Sequence, residues 1–93
     1  MSTSNIQLAS CANVVSAQAD TEIFAATAQI HARAVYNDST AALYLKYGTG
    51  SSPTSYTVQI PAQGYYEFPQ PLYAGQVNGY WAAANGDART TQW

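Results

Sequence analysis

The sequence predicts an all-β fold: a small antiparallel β-sandwich (or barrel-like domain) of seven to eight short strands. Three observations lead there. Apolar residues recur at a period of two along most of the chain, clusters of turn-forming residues interrupt that pattern about every ten residues, and no capped amphipathic helix is visible.

Taken in order, residues 1–20 are rich in Ser, Asn, Ala and Gln and read as an N-terminal arm or edge strand, with a strand expected near Ala12–Ala17. The β-sandwich domain proper is expected over 21–93. Thr21–Ala26, carrying Ile23 and Phe24, reads as a strand, and Gln29–His31 offers at most one helical turn. Arg33–Asn37 places Arg33, Val35 and Asn37 on one face and Ala34 and Tyr36 on the other. Asn37-Asp38-Ser39-Thr40 is a turn by composition. Ala42–Tyr47 then alternates, with Leu43, Leu45 and Tyr47 opposite Tyr44 and Lys46. Gly48–Pro53 is the clearest loop. Ser55–Ile60 follows, with Tyr56, Val58 and Ile60 sharing a face, and Pro61 closes it because proline has no N–H for the ladder. After Gln63-Gly64, Tyr66 and Phe68 face one way and Tyr65 and Glu67 the other. Pro69, Pro71 and Gly75 bracket an irregular stretch. Gly79–Ala84 reads as a strand, Asn85-Gly86 signals a hairpin, and Asp87–Trp93 returns as the last strand.

Ninety-three residues at 9.9 kDa allow one modest core. Only 9% of residues are charged, where about 25% is usual, and 30 uncharged polar side chains (Ser 8, Thr 9, Asn 5, Gln 8) stand in their place. Three basic residues and a net charge of −2 do not suit phosphate neutralisation, so nucleic acid is not an expected partner. No apolar run approaches the roughly 20 residues of a membrane-spanning helix, and the first ten residues lack the pattern of a secretory signal. One cysteine, Cys11, excludes an internal disulfide and is expected to be dispensable.

Parts for catalysis are scarce. Cys11 and His31 are single occurrences with no nucleophile signature around them, Glu22 and Glu67 fall in unrelated strands, and one His with one Cys does not make a metal site. Gly48-Thr49-Gly50 lacks the Lys and helix of a phosphate loop. Asn37-Asp38-Ser39 fits a glycosylation acceptor, but with no secretory signal pattern the plain turn is the expected reading. The expectation is therefore a non-enzyme with no catalytic residue, cofactor or metal.

Aromatics are the abundant resource: eight Tyr, two Trp and two Phe. In Tyr65-Tyr66 and Tyr80-Trp81 one ring of each pair must point outward. Tyr66 and Trp81 fit the core. Tyr44, Tyr65, Tyr80 and Trp93 are the outward candidates for a contact surface, against the plainer reading of cross-strand packing. Tyr and Trp are enriched at protein interfaces while Lys, Glu and Asp are depleted there, so a homo-oligomer is expected.

The run Arg33–Gly48 (RAVYNDSTAALYLKYG), the run Thr54–Pro69 (TSYTVQIPAQGYYEFP) and the ending Gly79–Arg89 (GYWAAANGDAR) together resemble small structural proteins of tailed bacteriophages. The resemblance covers Thr21 to Trp93. It implies a small β-sandwich of the capsid decoration (cement) or virion accessory type, made in the host cytoplasm and carried on the virion. The major capsid protein or other virion proteins would be its partners. It carries no functional residue across. The alternatives are a carbohydrate- or receptor-binding sandwich of a tail fibre or baseplate, and a tail or head-to-tail connector.

Overall fold

The computed structural model describes residues 8–93, and these are all-β with no helix. Eight strands follow one another: β1 (Ser10–Val15), β2 (Thr21–Phe24), β3 (Arg33–Asp38), β4 (Leu43–Tyr47), β5 (Val58–Ile60), β6 (Tyr65–Glu67), β7 (Val77–Trp81) and β8 (Asp87–Gln92). They form two four-stranded sheets, one in the order β1-β8-β3-β6 and the other β2-β7-β4-β5, with every pairing antiparallel.

The order has a simple generator. Strands pair as in one long hairpin folded at the β4–β5 loop: β4 with β5, β3 with β6, β2 with β7 and β1 with β8. Rolling that hairpin adds the β3·β8 and β4·β7 pairs and splits it into two sheets. This is the jelly-roll arrangement. Of the segment 1–20, read as arm or edge strand, Ser10–Val15 is the edge strand of the first sheet. Residues 1–7 lie outside those described.

The core is the layer between the sheets. Val35, Leu43, Leu45, Val77, Trp81 and Ala88 are fully buried there, joined by Ile23, Phe24, Ile60 and Phe68. The alternation assigned to β3, β4, β6 and β7 is the one observed, with Tyr66 and Trp81 on the inner side.

Three segments differ from expectation. Asn85-Gly86 does not close a hairpin, because β7 and β8 lie in different sheets. Its glycine answers a close approach instead: a Cβ on Gly86 would sit 2.2 Å from the Asp38 carbonyl oxygen. The Asn85 side chain accepts from Thr40 N at 3.1 Å, and Gly86 N donates to Ser16 Oγ at 2.9 Å. The segment Ser55–Ile60 is also shorter as a strand. Thr57 N already donates to the Leu45 carbonyl (2.7 Å), and Ser52 and Ser55 bridge one another, so the regular ladder begins only at Val58. Tyr56 is thereby turned out, 42% exposed. Near Gln29–His31 no helical turn forms; Gln29 takes a left-handed φ of 64°.

Strand β3 carries two buried polar anchors on the same inward face as Val35. Asn37, fully buried, donates from Nδ2 to the carbonyls of Ala41 (2.8 Å), Pro61 (3.0 Å) and Ile60 (3.1 Å). Its Oδ1 accepts from Ser39 Oγ (2.8 Å) and from Trp81 Nε1 (3.1 Å). At the other end of the strand, Arg33 is fully buried and, among the described residues, pairs with no carboxylate. Its guanidinium donates to Gln92 Oε1 (2.9 Å) and to the carbonyls of Gly75, Ala25, Tyr73 and Ala74, and stands 4.8 Å over the Phe24 ring. Burial lowers its pKa from the ordinary value, with the Tyr73 and Tyr47 phenols acting the other way.

Beside it, Tyr47 is stacked between Phe68 (centroids 5.2 Å apart) and Tyr73 (4.8 Å), and its hydroxyl meets that of Tyr66 at 2.8 Å. Burial, then the Tyr66 hydrogen bond, raise the Tyr47 pKa.

Candidate protein-contact surface

Inward Leu43 and Leu45 force Tyr44 and Lys46 onto the outer face of β4, and inward Val77, Gly79 and Trp81 do the same for Asn78 and Tyr80 on β7. The register sets Tyr44 directly between Tyr80 and Gln59 and sets Lys46 opposite Asn78. Tyr56, leaving the β4–β5 loop, leans on Tyr44 with ring centroids 5.0 Å apart and tilted by 52°. The outer face of the second sheet thus carries three neighbouring tyrosines and a glutamine.

Two of the three charges around this patch are hydrogen-bonded, while Glu22 stands exposed on β2 opposite Asn78. Lys46 Nζ donates to Ser55 Oγ at 2.7 Å. The Asp20 carboxylate accepts from Ser51 Oγ (2.7 Å), Ser51 N (2.9 Å), Asn78 Nδ2 (3.0 Å) and Gly50 N (3.0 Å). Gly50, at φ 81°, turns two consecutive backbone N–H groups toward that carboxylate. Burial opposes ionisation, but the hydrogen bonds from Ser51, Asn78 and Gly50 outweigh it and hold the Asp20 pKa at about 2, below the usual 3.8.

A carboxyl whose folded pKa is depressed adds stability above its unfolded pKa and loses it as pH falls through the folded one. Urea denaturation between about pH 5 and pH 2 is therefore expected to show Asp20→Asn less stable than the parent at pH 5, with the gap closing toward pH 2. A gap independent of pH would show that the ionised carboxylate is not what holds the loop.

The other sandwich face differs. Across the first sheet, Asn13, Arg89, Tyr36 and Tyr65 form one cross-strand row. Tyr65 is 62% exposed, the Tyr36 hydroxyl donates to Gln63 Oε1, and Arg89 pairs with Asp38 at 2.9 Å and Asp87 at 3.7 Å. Trp93 lies past β8 with its indole half-buried; its carbonyl accepts from His31 N and Ala32 N, and its N–H donates to the Ala32 carbonyl.

Of the four outward candidates, the structure brings Tyr44 and Tyr80 together, half-buried and side by side. It places Tyr65 on the opposite face and Trp93 at the end of the β3·β8 ladder. Sequence reasoning missed Tyr56, assigned inward with Val58, and Tyr36. The absence of any aliphatic residue between Pro53 and Tyr56 was the available sign that the core-facing strand starts late.

Chemically, the patch offers rigid amphipathic rings with hydroxyl tips, which bury area at low entropy cost. Among the described residues no three His, Cys, Asp or Glu side chains gather as metal ligands, and Cys11 lies exposed on β1 against Thr91. No protein family, curated protein or solved structure matches the chain.

Proposed function

We propose that this protein is a non-enzymatic structural component of a tailed-phage virion, a capsid decoration protein that reinforces the shell through protein–protein contacts. The single observation behind this reading is the outer face of the second sheet, where Tyr44, Tyr56 and Tyr80 adjoin and the charged residues Lys46 and Glu22 stand in the next row, either side of Asn78. Such a surface matches the composition of interface centres. The low charge of the whole chain fits a molecule covered by neighbours, and repeated attachment around a symmetric shell would let modest contacts hold. Jelly rolls serve both viral shells and lectins, so the fold alone does not choose.

The rival reading is a carbohydrate- or receptor-binding module of a tail fibre or baseplate. It is favoured by one feature, the exposed Tyr65 ring beside Tyr36 on the more polar first sheet.

Co-sedimentation with empty capsids of the encoding phage, run beside binding to host surface polysaccharide, separates the two. Tyr44→Ser and Tyr80→Ser are expected to keep the β-rich circular dichroism spectrum and to lose about thirtyfold in capsid affinity, the scale of a central aromatic anchor worth about 2 kcal/mol. Tyr65→Ser is expected to leave capsid binding unchanged. Unaltered sedimentation of both second-sheet variants, with glycan binding lost in Tyr65→Ser, would replace decoration with sugar recognition.

A further inference from the structure

A β-sandwich that is not closed into a barrel has four edge strands, and an edge presents unpaired N–H and C=O groups to any chain able to extend the sheet. Here the four edges are β1 and β6 in the first sheet and β2 and β5 in the second. Three are blunted. Strand β5 is three residues long and stops at Pro61; β6 is three residues long, carries Glu67 and runs into Pro69 and Pro71. Strand β2 carries Glu22 and is broken by a register shift between Glu22 and Phe24.

Strand β1 has none of these devices. Its six residues, Ser-Cys-Ala-Asn-Val-Val, include no proline and no charge, and its register with β8 is unbroken from Ser10 to Val15. Among the described residues no strand pairs with its outer side. Every β1 residue except Val14 is exposed, and two of the most exposed large apolar side chains sit on or beside it, Val15 at 74% and Leu8 at 86%.

We infer that β1 is a self-association edge, pairing antiparallel with β1 of a second copy so that two first sheets join into one eight-stranded sheet. A two-fold axis perpendicular to the sheet is the symmetry that pairs a strand with itself antiparallel, and it keeps the inner faces of both copies on one side. Inner residues must then oppose inner residues, so one residue lies opposite its own copy. With Asn13 on the axis, Cys11 opposes Val15 and Ala12 opposes Val14, which covers the exposed valine.

The charge pattern suits a second copy of this chain. No like charges meet along β1, and the nearest charged row, Arg89 opposite Asn13 on β8, would stand about 14 Å from its symmetry mate, three strand spacings away. At that separation exposed charges are largely screened, and Arg89 is already paired with Asp38. One strand pair makes a small interface, in the range of weak, reversible association. A Kd on the order of 100 µM is expected. This inference does not rest on the virion assignment; it concerns the edge of the first sheet, while that reading concerns the face of the second.

Analytical ultracentrifugation of the full chain from about 10 µM to about 1 mM tests it. The mass is expected to rise from that of the 9.9 kDa monomer toward twice that value. Asn13→Lys, which sets two ammonium groups across the axis, and Val15→Lys are each expected to weaken the dimer at least tenfold, with circular dichroism and melting unchanged. Tyr44→Ser is expected to leave the dimer intact. Hydrogen exchange supplies a readout free of mutation: the β1 amides that point away from β8 should slow as concentration rises. Monomer across the whole range overturns the inference, as does a dimer indifferent to both lysines or one abolished by Tyr44→Ser. Protection of those amides at every concentration in a monomer overturns it too.

Discussion

Asn37→Leu is expected to remove about 5 kcal/mol, enough to leave a domain of ordinary stability largely unfolded. Leucine keeps the branching of asparagine but is bulkier, so overpacking of this fully buried site adds to the loss. Most of it comes from groups with no route to water: the Trp81 indole N–H and the Ile60 carbonyl lose their side-chain partner, at about 1–3 kcal/mol each when left unpaired, while the Ala41 carbonyl keeps only the Ser39 hydroxyl. Asn37→Asp is a sharper version. It keeps the shape and the acceptor for Trp81 but turns a carboxylate oxygen on the carbonyls of Ala41, Ile60 and Pro61, where only a donor fits. The variant should be tolerated best at low pH, where its carboxyl can be protonated and donate. Its stability should fall as pH rises, the reverse of the usual acid denaturation. Chemical denaturation of both variants from about pH 3 to pH 8 checks this, and a pH-independent deficit in Asn37→Asp would show that the network relaxes around the charge.

Arg33→Lys should cost about 4 kcal/mol, more than Arg33→Met. Arginine spans four backbone carbonyls and the Gln92 side chain with one flat fork while its face lies over Phe24. Lysine keeps the charge but has three donors on one atom and a more strongly hydrated head, so it leaves acceptors unpaired and buries a cation that resists desolvation. Methionine leaves the same acceptors unpaired but removes the cation, and with it the cost of burying a charge that no carboxylate offsets. The order parent, Met, Lys in urea midpoint is the expected result. The opposite order of Met and Lys would mean that the positive charge itself, not the fork, holds the Ala25 and Tyr73–Gly75 segments together.

Both anchors had a legible sign in the sequence. A period of two puts Arg33 and Asn37 on the same side as Val35, so a strand with Val35 in the core must bury them as well. Strand faces were readable wherever large aliphatic or aromatic residues alternate, as in Leu43-Tyr44-Leu45 and Tyr80-Trp81. Sheet membership was not. Asn37–Thr40, Gln63-Gly64 and Asn85-Gly86 have the composition of hairpin turns, yet all three carry the chain from one sheet to the other. Turn chemistry reports a reversal of direction, whereas the partner of a strand is chosen by contacts far away in the chain. The contact surface was half legible for the same reason: Tyr44 and Tyr80 could each be turned outward, but only the β4·β7 register makes them neighbours, and only the shortened β5 delivers Tyr56 to them.

The nested pairing also sets a timetable for folding. Leu45 and Val58 in β4·β5 are 13 positions apart, Val35 and Tyr66 in β3·β6 are 31, Thr21 and Gly79 in β2·β7 are 58, and Ser10 and Gln92 in β1·β8 are 82. Closing the outermost pair first would mean ordering almost the whole chain for one contact, since closure entropy grows with the logarithm of the loop. Closing them from the inside outward makes every later step local, because each completed pair brings the next two strands together. On this ordering, lengthening the β4–β5 loop is expected to slow folding, since every later closure waits on that one. Strand β1 would close last in that order and is expected to weigh little on the speed of folding, which leaves its sequence free to answer to whatever meets that edge in the finished molecule.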